Sequence, residues 1–326
     1  MEGQIVAESL AYIGKIVNKS PIEKADKLES IEVVCGKGGK WNAVSTIGNF
    51  QVGNLCEVYL QDSIVPSNER FSFLEKYHYR IKMQRLRGAI SECLCMPLSL
   101  TGVNLGDDIT DVIGVRKYQK PLPANIQGDI KGHFPNFLKK TDEPNFQRSE
   151  HLLKALRGQP FYSTVKYDGS SVTYYKYKSE FGCCSRNYEL KYTENNSIWS
   201  LAKEYDIEKL LPEGFAIQAE IVGPGIQGNP LKLAEPDIYV FNVYDIVNRK
   251  YVNLFDARIM VANLKWVETI DCGEMFNMNH EQLISYAEGK YSSGIDREGI
   301  VIRPLEEQMV DGERLSFKVI NLLYKN

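Results

Sequence analysis

Most features that would set this chain of 326 residues apart from ordinary globular proteins are missing. No run approaches the roughly 18 consecutive apolar residues that a membrane-spanning helix needs. The opening MEGQIVAESLAYIG lacks a basic segment followed by an apolar core, so it does not read as a secretory leader. Histidines number only four and cysteines seven. Cys93 and Cys95 are one residue apart and Cys183 and Cys184 are adjacent. Neither spacing is that of a zinc knuckle, and no nearby Cys or His pair completes a four-ligand set. An odd cysteine count without a leader reads as reduced, buried or half-buried thiols in an intracellular compartment, cytoplasmic or nuclear. Excess positive charge is also missing. The net charge is -3 and the pI about 5.9, which argues against non-specific coating of nucleic acid. Internal repeats and low-complexity tracts are absent.

The hydrophobic share of 43% and charged share of 25% are those of a globular protein, and the length suits two domains. Residues 1–120 hold short β-rich runs, IGKIVNKSPI, SIEVVCG, WNAVSTIG and NLCEVYLQDSIVP, separated by Gly, Pro and Asn. RIKMQRLRGAISECLCMPL adds strands around a Gly turn, and so many short strands predict a small β-barrel. Pro21-Ile22-Glu23-Lys24-Ala25-Asp26, Gly53-Asn54 and Leu86-Arg87-Gly88-Ala89-Ile90-Ser91 resemble OB-type modules of the tRNA-binding kind. Residues 121–145, with Pro121, Pro123, Pro135 and Pro144, read as a linker. Residues 146–326 are expected as a second domain, with helices near 150–157, 198–210, 256–265 and 280–289. Two basic stretches are candidates for a groove: Arg80, Lys82, Arg85 and Arg87, and Lys117, Lys120, Lys131, Lys139 and Lys140. Each reads equally well as a solvated surface.

Chemistry concentrates after residue 160. Val165-Lys166-Tyr167-Asp168-Gly169-Ser170-Ser171 follows the apolar run FYSTV. A lysine at the end of such a strand can point into a pocket. Free lysine has a pKa near 10.4, and burial or neighbouring cations lower it towards a usable nucleophile. The plainer reading is a β-turn with Asp-Gly at its tip and a surface lysine. Five segments follow in order: Ser185-Arg186-Asn187; Phe215 to Glu220 running on to Asn229; Ile238 to Asp245; Arg297-Glu298-Gly299-Ile300-Val301-Ile302-Arg303-Pro304; and Leu315-Ser316-Phe317-Lys318-Val319-Ile320.

Lys166-x-Asp168-Gly169 and these five segments together resemble the covalent nucleotidyltransferases, the superfamily of DNA ligases, RNA ligases and mRNA capping enzymes. A β-rich module precedes the catalytic segments and eight residues follow Lys318. That order resembles the RNA ligases with an N-terminal OB-like domain and a C-terminal nucleotidyltransferase domain, the fifth RNA ligase family. The resemblance implies an α+β chain: an OB-like barrel, then a nucleotidyltransferase domain of ATP-grasp-like antiparallel sheets with flanking helices. It implies an ATP-dependent RNA ligase that attaches AMP to Lys166, passes it to a 5′-phosphate and seals to a 3′-hydroxyl, with nicked duplex RNA as the expected substrate. ATP and a divalent metal, Mg or Mn, are the implied cofactors; no membrane and no obligate protein partner is evident.

By the same resemblance, Glu220 binds the ribose and Arg186 the ribose or phosphate. Phe241 stacks on adenine, with Tyr239 and Tyr244 as competitors. Glu298 holds the metal and Lys318 touches the α-phosphate. Each has a plainer reading: a solvent-facing strand residue for Glu220, core packing for Phe241, a turn for Glu298, surface charge for Arg186 and Lys318. The chain departs from the pattern at Ser316, where many relatives carry the first lysine of Lys-x-Lys, and at Asn242, where Asp is common. Two other classes stay open: a DNA ligase or capping-type nucleotidyltransferase, and a non-catalytic nucleic-acid-binding protein.

Overall fold

Alternating short strands and turn residues build two antiparallel architectures. The computed structural model describes residues 9–36, 39–118 and 128–324. The described residues divide into two compact units, one of residues 9–118 with Gln147–Glu150, the other of residues 128–146 and 151–324. Lys120, Pro121 and Pro123, at the start of the expected linker, lie outside the described residues.

The first unit is a five-stranded antiparallel sheet of β1 (Ala11–Pro21), β2 (Leu28–Cys35), β3 (Gly39–Thr46), β4 (Leu55–Leu60) and β5 (Cys93–Pro97), in the order β3-β2-β1-β4-β5. In β2 and β3 one face is buried and the other is not, as a period of two requires. The sheet curls until its two edges meet. The Glu92 N–H donates to the Asn42 carbonyl at 2.8 Å, and the Asn42 N–H donates to the Glu92 carboxylate at 2.7 Å. Closure of this kind removes a bare sheet edge. Inside lie Ile16, Ile31, Val33, Trp41, Phe50 and Val58, with Cys35, Cys56, Cys93 and Cys95 among them. The expected Gly turn is a hairpin of residues 84–86 and 89–91, with Arg87 and Gly88 at positive φ.

The second unit is built on a seven-stranded and a four-stranded sheet. A seven-stranded sheet joins β6 (Ile130–His133), β8 (Ser170–Tyr177), β9 (Glu180–Cys184), β10 (Tyr188–Leu190), β11 (Phe215–Val222), β12 (Asp237–Asp245) and β13 (Lys250–Tyr251), in the order β6-β10-β9-β8-β11-β12-β13. A four-stranded sheet joins β7 (Pro160–Lys166), β14 (Thr269–Met275), β15 (Gly299–Pro304) and β16 (Phe317–Ile320), in the order β14-β7-β15-β16. Helices α1 (Ser197–Glu204), α2 (Leu254–Met260) and α3 (His280–Ala287) flank them. Helix α1 starts at Asn196, whose side chain caps the Ile198 N–H, and buries Ile198, Leu201 and Ala202. Helix α3 starts with a capping box of Asn279 and Gln282.

Residues 128–145, part of the segment expected as a linker, add to this second unit. Strand β6 pairs with β10, the Lys139 carbonyl accepts from Gln218 at 2.6 Å, and the Pro144 carbonyl accepts from the Lys318 N–H at 2.8 Å. Among the described residues all seven cysteines are free, six buried and Cys272 exposed. No described helix is long and apolar enough to cross a membrane.

Candidate active site

Register decides which side chains share a face. Strand β7 pairs with β15 so that Lys166 faces Gly299, Thr164 faces Val301 and Tyr162 faces Arg303. Strand β15 pairs with β16 so that Val301 faces Lys318. Paired residues lie on one face and so do residues two apart, hence Lys166 and Lys318 share a face of the four-stranded sheet. In the seven-stranded sheet, Ser171, Glu220 and Tyr239 are paired in a row across β8, β11 and β12.

The nucleophile candidate ends its strand beside a carboxylate. Lys166 Nζ donates to Glu298 Oε2 at 2.6 Å, both side chains being largely buried. The turn that follows is held by the other sheet: the Gly169 N–H donates to Glu220 Oε1 at 3.1 Å. A side chain at Gly169 would meet the Ile221 carbonyl at 2.2 Å, and one at Gly299 would meet the Val319 carbonyl at 2.2 Å. Close backbone approach is thus why both motifs carry glycine. Asp168 is buried and accepts a hydrogen bond from the Tyr324 hydroxyl.

Burial is the largest influence on Lys166 and pulls its pKa down, but Glu298, Glu220 and Asp168 together outweigh it. The ammonium is held above the ordinary lysine range. This reverses the expectation that burial leaves the amine easier to deprotonate, because three carboxylates stabilise the charged form. Glu220 is pushed up to about 8 by burial; Lys166 opposes the rise, and Glu298 and Asp168 reinforce it.

Lys166, Glu220 and Glu298 are therefore brought together, with Asp168 added, and Lys318 stands half-buried on the Lys166 face. Phe241 and Arg186 lie outside this hydrogen-bonded group. Phe241 is half-buried at a β-bulge, where the pairing of β11 with β12 slips between Gln218 and Ala219. Of its competitors, Tyr244 packs edge-on against Tyr251 at 5.2 Å and Tyr239 against Tyr167 at 5.0 Å. Arg186 forms an ion pair with Asp142. Ser316 is fully buried and accepts from Arg303 Nε at 3.1 Å, while Arg303 also pairs with Glu143 at 2.7 Å. Among the basic stretches, Arg80 pairs with Asp62 at 2.7 Å and Lys131 with Glu180 and Glu189.

No group of three or more His, Cys, Asp or Glu side chains among the described residues stands ready to cage a metal ion. One carboxylate beside the lysine instead fits a cation that takes most of its ligands from phosphates and water, as Mg often does. Reading the sequence missed Tyr291, whose hydroxyl meets Lys166, Asp168 and Glu298 at their backbones. It lies 125 residues from Lys166, and nothing local marks it out.

Two antiparallel sheets, a lysine closing one strand against a glutamate opening another, and a curled OB-type sheet earlier in the chain define a nucleotidyltransferase-type fold. The RNA ligase family profile matches residues 159–320, and an OB-fold domain profile matches residues 10–98. The chain belongs to the RNA ligase family. Among solved structures it is similar to the Naegleria gruberi RNA ligase in a lysine-to-alanine variant with ATP and Mn, at 32% identity over 96% of this chain and 97% of that chain, with a TM-score of 0.84. A glutamate-to-alanine variant of that enzyme with AMP and Mn gives the same identity, coverage and TM-score of 0.84. The enzyme with pyrophosphate matches at 32% identity over 96% of each chain, with a TM-score of 0.83. None of the curated proteins matches the chain in sequence.

Proposed function

We propose that the chain is an ATP-dependent RNA ligase that works through AMP carried on Lys166. The observation that carries this reading is Lys166 Nζ at 2.6 Å from Glu298, with Glu220 bearing on the same amine, in a member of the RNA ligase family. Lys166 Nζ gives its proton to solvent water and attacks the α-phosphorus of ATP. A P–N bond forms, the bond to the bridging oxygen breaks, and pyrophosphate leaves. AMP then passes to a 5′-phosphate, and a 3′-hydroxyl displaces it. Positioning and charge stabilisation supply most of the rate in such transfers. A divalent metal, when bound, offsets negative charge on the phosphates.

Glu298 is the proposed metal ligand. Glu220, already fixed by Gly169, takes the ribose hydroxyls. Lys318, on the Lys166 face, takes the α-phosphate. Phe241 is the proposed adenine platform, supported by the edge-on packing that occupies Tyr239 and Tyr244. Arg186 takes ribose or phosphate once it exchanges Asp142 for the nucleotide. Residues 1–120 are proposed as the OB-like module, 121–145 as the connecting segment and 146–326 as the nucleotidyltransferase domain; the two profile matches support this division. A nick in duplex RNA is the proposed substrate. A reducing intracellular compartment suits the seven free thiols.

The test is labelling by α-phosphate-labelled ATP with Mg or Mn. Wild type takes up an acid-labile label. Lys166→Ala and Lys166→Arg take up none, because a guanidinium keeps its proton. Glu298→Gln loses at least about 10-fold in rate, its oxygen having lost the charge a hard cation wants. Undiminished labelling of Lys166→Ala overturns the assignment.

A further inference from the structure

The pairing of β7 with β15 ends at Lys166 and Gly299. Beyond that rung the two chains part, one into the Asp168 turn, the other back through Glu298 to the loop after α3. One oxygen spans the gap. The Tyr291 hydroxyl donates to the Lys166 carbonyl at 2.9 Å and accepts from the Asp168 N–H at 3.1 Å and the Glu298 N–H at 3.0 Å. We infer that the Tyr291 hydroxyl is a positioning group for nucleotidyl transfer, fixing the nucleophile's turn against the residue that opens the opposite strand. The inference deepens the reading of Lys166 as the nucleophile and rests on it.

The chemistry of a phenol makes this assignment specific. It has one hydrogen to give and two lone pairs to accept with. All three are committed to backbone groups, so nothing remains for substrate. Tyr291 is buried, at 4% exposure. Burial, reinforced by Glu298, raises its pKa well above the ordinary tyrosine range, so it stays a donor at any working pH.

The tyrosine is itself held firmly. Its N–H donates to the Ile295 carbonyl at 2.8 Å, and its carbonyl accepts from Gly294 at 2.9 Å, closing a tight loop. Arg297 ties the base of that loop to the end of α3, donating to the carbonyls of Ala287 at 3.1 Å, Tyr286 at 2.8 Å and Glu288 at 2.9 Å. Asn321 donates to the Arg297 carbonyl at 2.8 Å. The ring packs edge-on against Tyr167 at 5.7 Å, in a cluster with Val165, Val222 and Leu231. A support of this kind is what a preorganised site needs. In-line attack is sensitive to it, since a displacement of about 1 Å costs on the order of 100-fold in rate.

Tyr291→Phe keeps the ring and its packing and removes only the oxygen. Single-turnover labelling of the full chain at a series of ATP concentrations separates the maximal rate from the half-saturating ATP. The expected result is a maximal rate down about 10- to 100-fold, with half-saturating ATP within about threefold of wild type. Labelling of Tyr291→Phe at the wild-type rate overturns the proposal. So does a change confined to half-saturating ATP, which marks a nucleotide-binding role. Arg297→Lys, which weakens the support of the loop but keeps the hydroxyl, serves if Tyr291→Phe does not fold. It should lower the maximal rate in the same selective manner, and an unchanged maximal rate counts against the pin. Failure of the underlying reading looks different: wild type takes no label, or Lys166→Ala takes it too.

Discussion

At the scale of the residue, the site is a contest between burial and charge. Three carboxylates keep Lys166 an ammonium, and burial, reinforced by Glu298 and Asp168, pushes Glu220 up to about 8. Glu220 therefore binds its proton more tightly folded than unfolded. Its contribution to stability is full below the ordinary carboxylate range and is lost as pH rises through about 8. Glu220→Gln has no proton to lose. It should melt a few degrees higher than wild type near about pH 9, with the gap closing towards about pH 5. Thermal melts of both proteins across that range make the comparison, and a difference that does not vary with pH refutes the assignment of Glu220 as the strained carboxylate. Lys166, Glu220 and Glu298, which the structure brings together, could be picked out in the sequence because each sits inside a short ordered motif; Asp168 sits in the first of these motifs but had no role assigned to it there. Tyr291 and Tyr324 were not, because a hydroxyl that serves the site from a loop or a chain end has no periodicity or spacing to announce it.

Elements were legible wherever local chemistry fixed them. The β-rich runs of the first unit are strands bounded by the expected turns, and the expected helices appear at Glu150–Leu156, Ser197–Glu204, Leu254–Met260 and His280–Ala287. What the sequence hides is set by partners distant along the chain. The bulge at Phe241 arises from a slip against β11 that only the paired strands reveal. Residues 128–145 have the composition of a linker, yet Glu143 is bound there by Arg303 and the Pro144 carbonyl by Lys318. Ser316, whose departure from Lys-x-Lys suggests a lost contact, is instead a buried acceptor for Arg303. The bulge invites a direct experiment. With Phe241 as the adenine platform, Phe241→Leu and Phe241→Ala should both raise half-saturating ATP for labelling, each by about 10-fold or more, since a stacked base is worth about 1–3 kcal/mol. Leu behaving as wild type while Ala fails points to packing instead.

At the scale of the whole molecule, division of labour is the question. The residues proposed for AMP transfer all follow residue 160, so the first unit is free to serve the RNA. A chain beginning at about residue 128 keeps β6 and the 139–145 contacts of the second unit. It should retain AMP transfer to pyrophosphate better than nick sealing, because phosphate contacts from a second module add to substrate grip. In the full chain, four nicks that differ only in the sugars beside the break are the companion substrates. A ribose at the 3′-hydroxyl side should seal faster, since the 2′-hydroxyl and A-form shape are what distinguish RNA there. Equal rates on all four, or a preference for deoxyribose at that side, contradict the RNA reading and leave Lys166 untouched. The charge pattern is consistent with a selective grip: Arg80 and Lys131, one residue from each of the two basic stretches, are already engaged by acidic neighbours.

The pairing of Lys166 with Glu298 also bears on how such an enzyme survives between turnovers. A free lysine amine is a target for cyanate, aldehydes and activated acyl compounds, and their reaction with the proposed nucleophile would block AMP uptake. An ammonium has no lone pair to offer them. With its proton held by Glu298, Glu220 and Asp168, Lys166 offers such reagents little free amine, so the carboxylates that oppose its deprotonation also slow its modification.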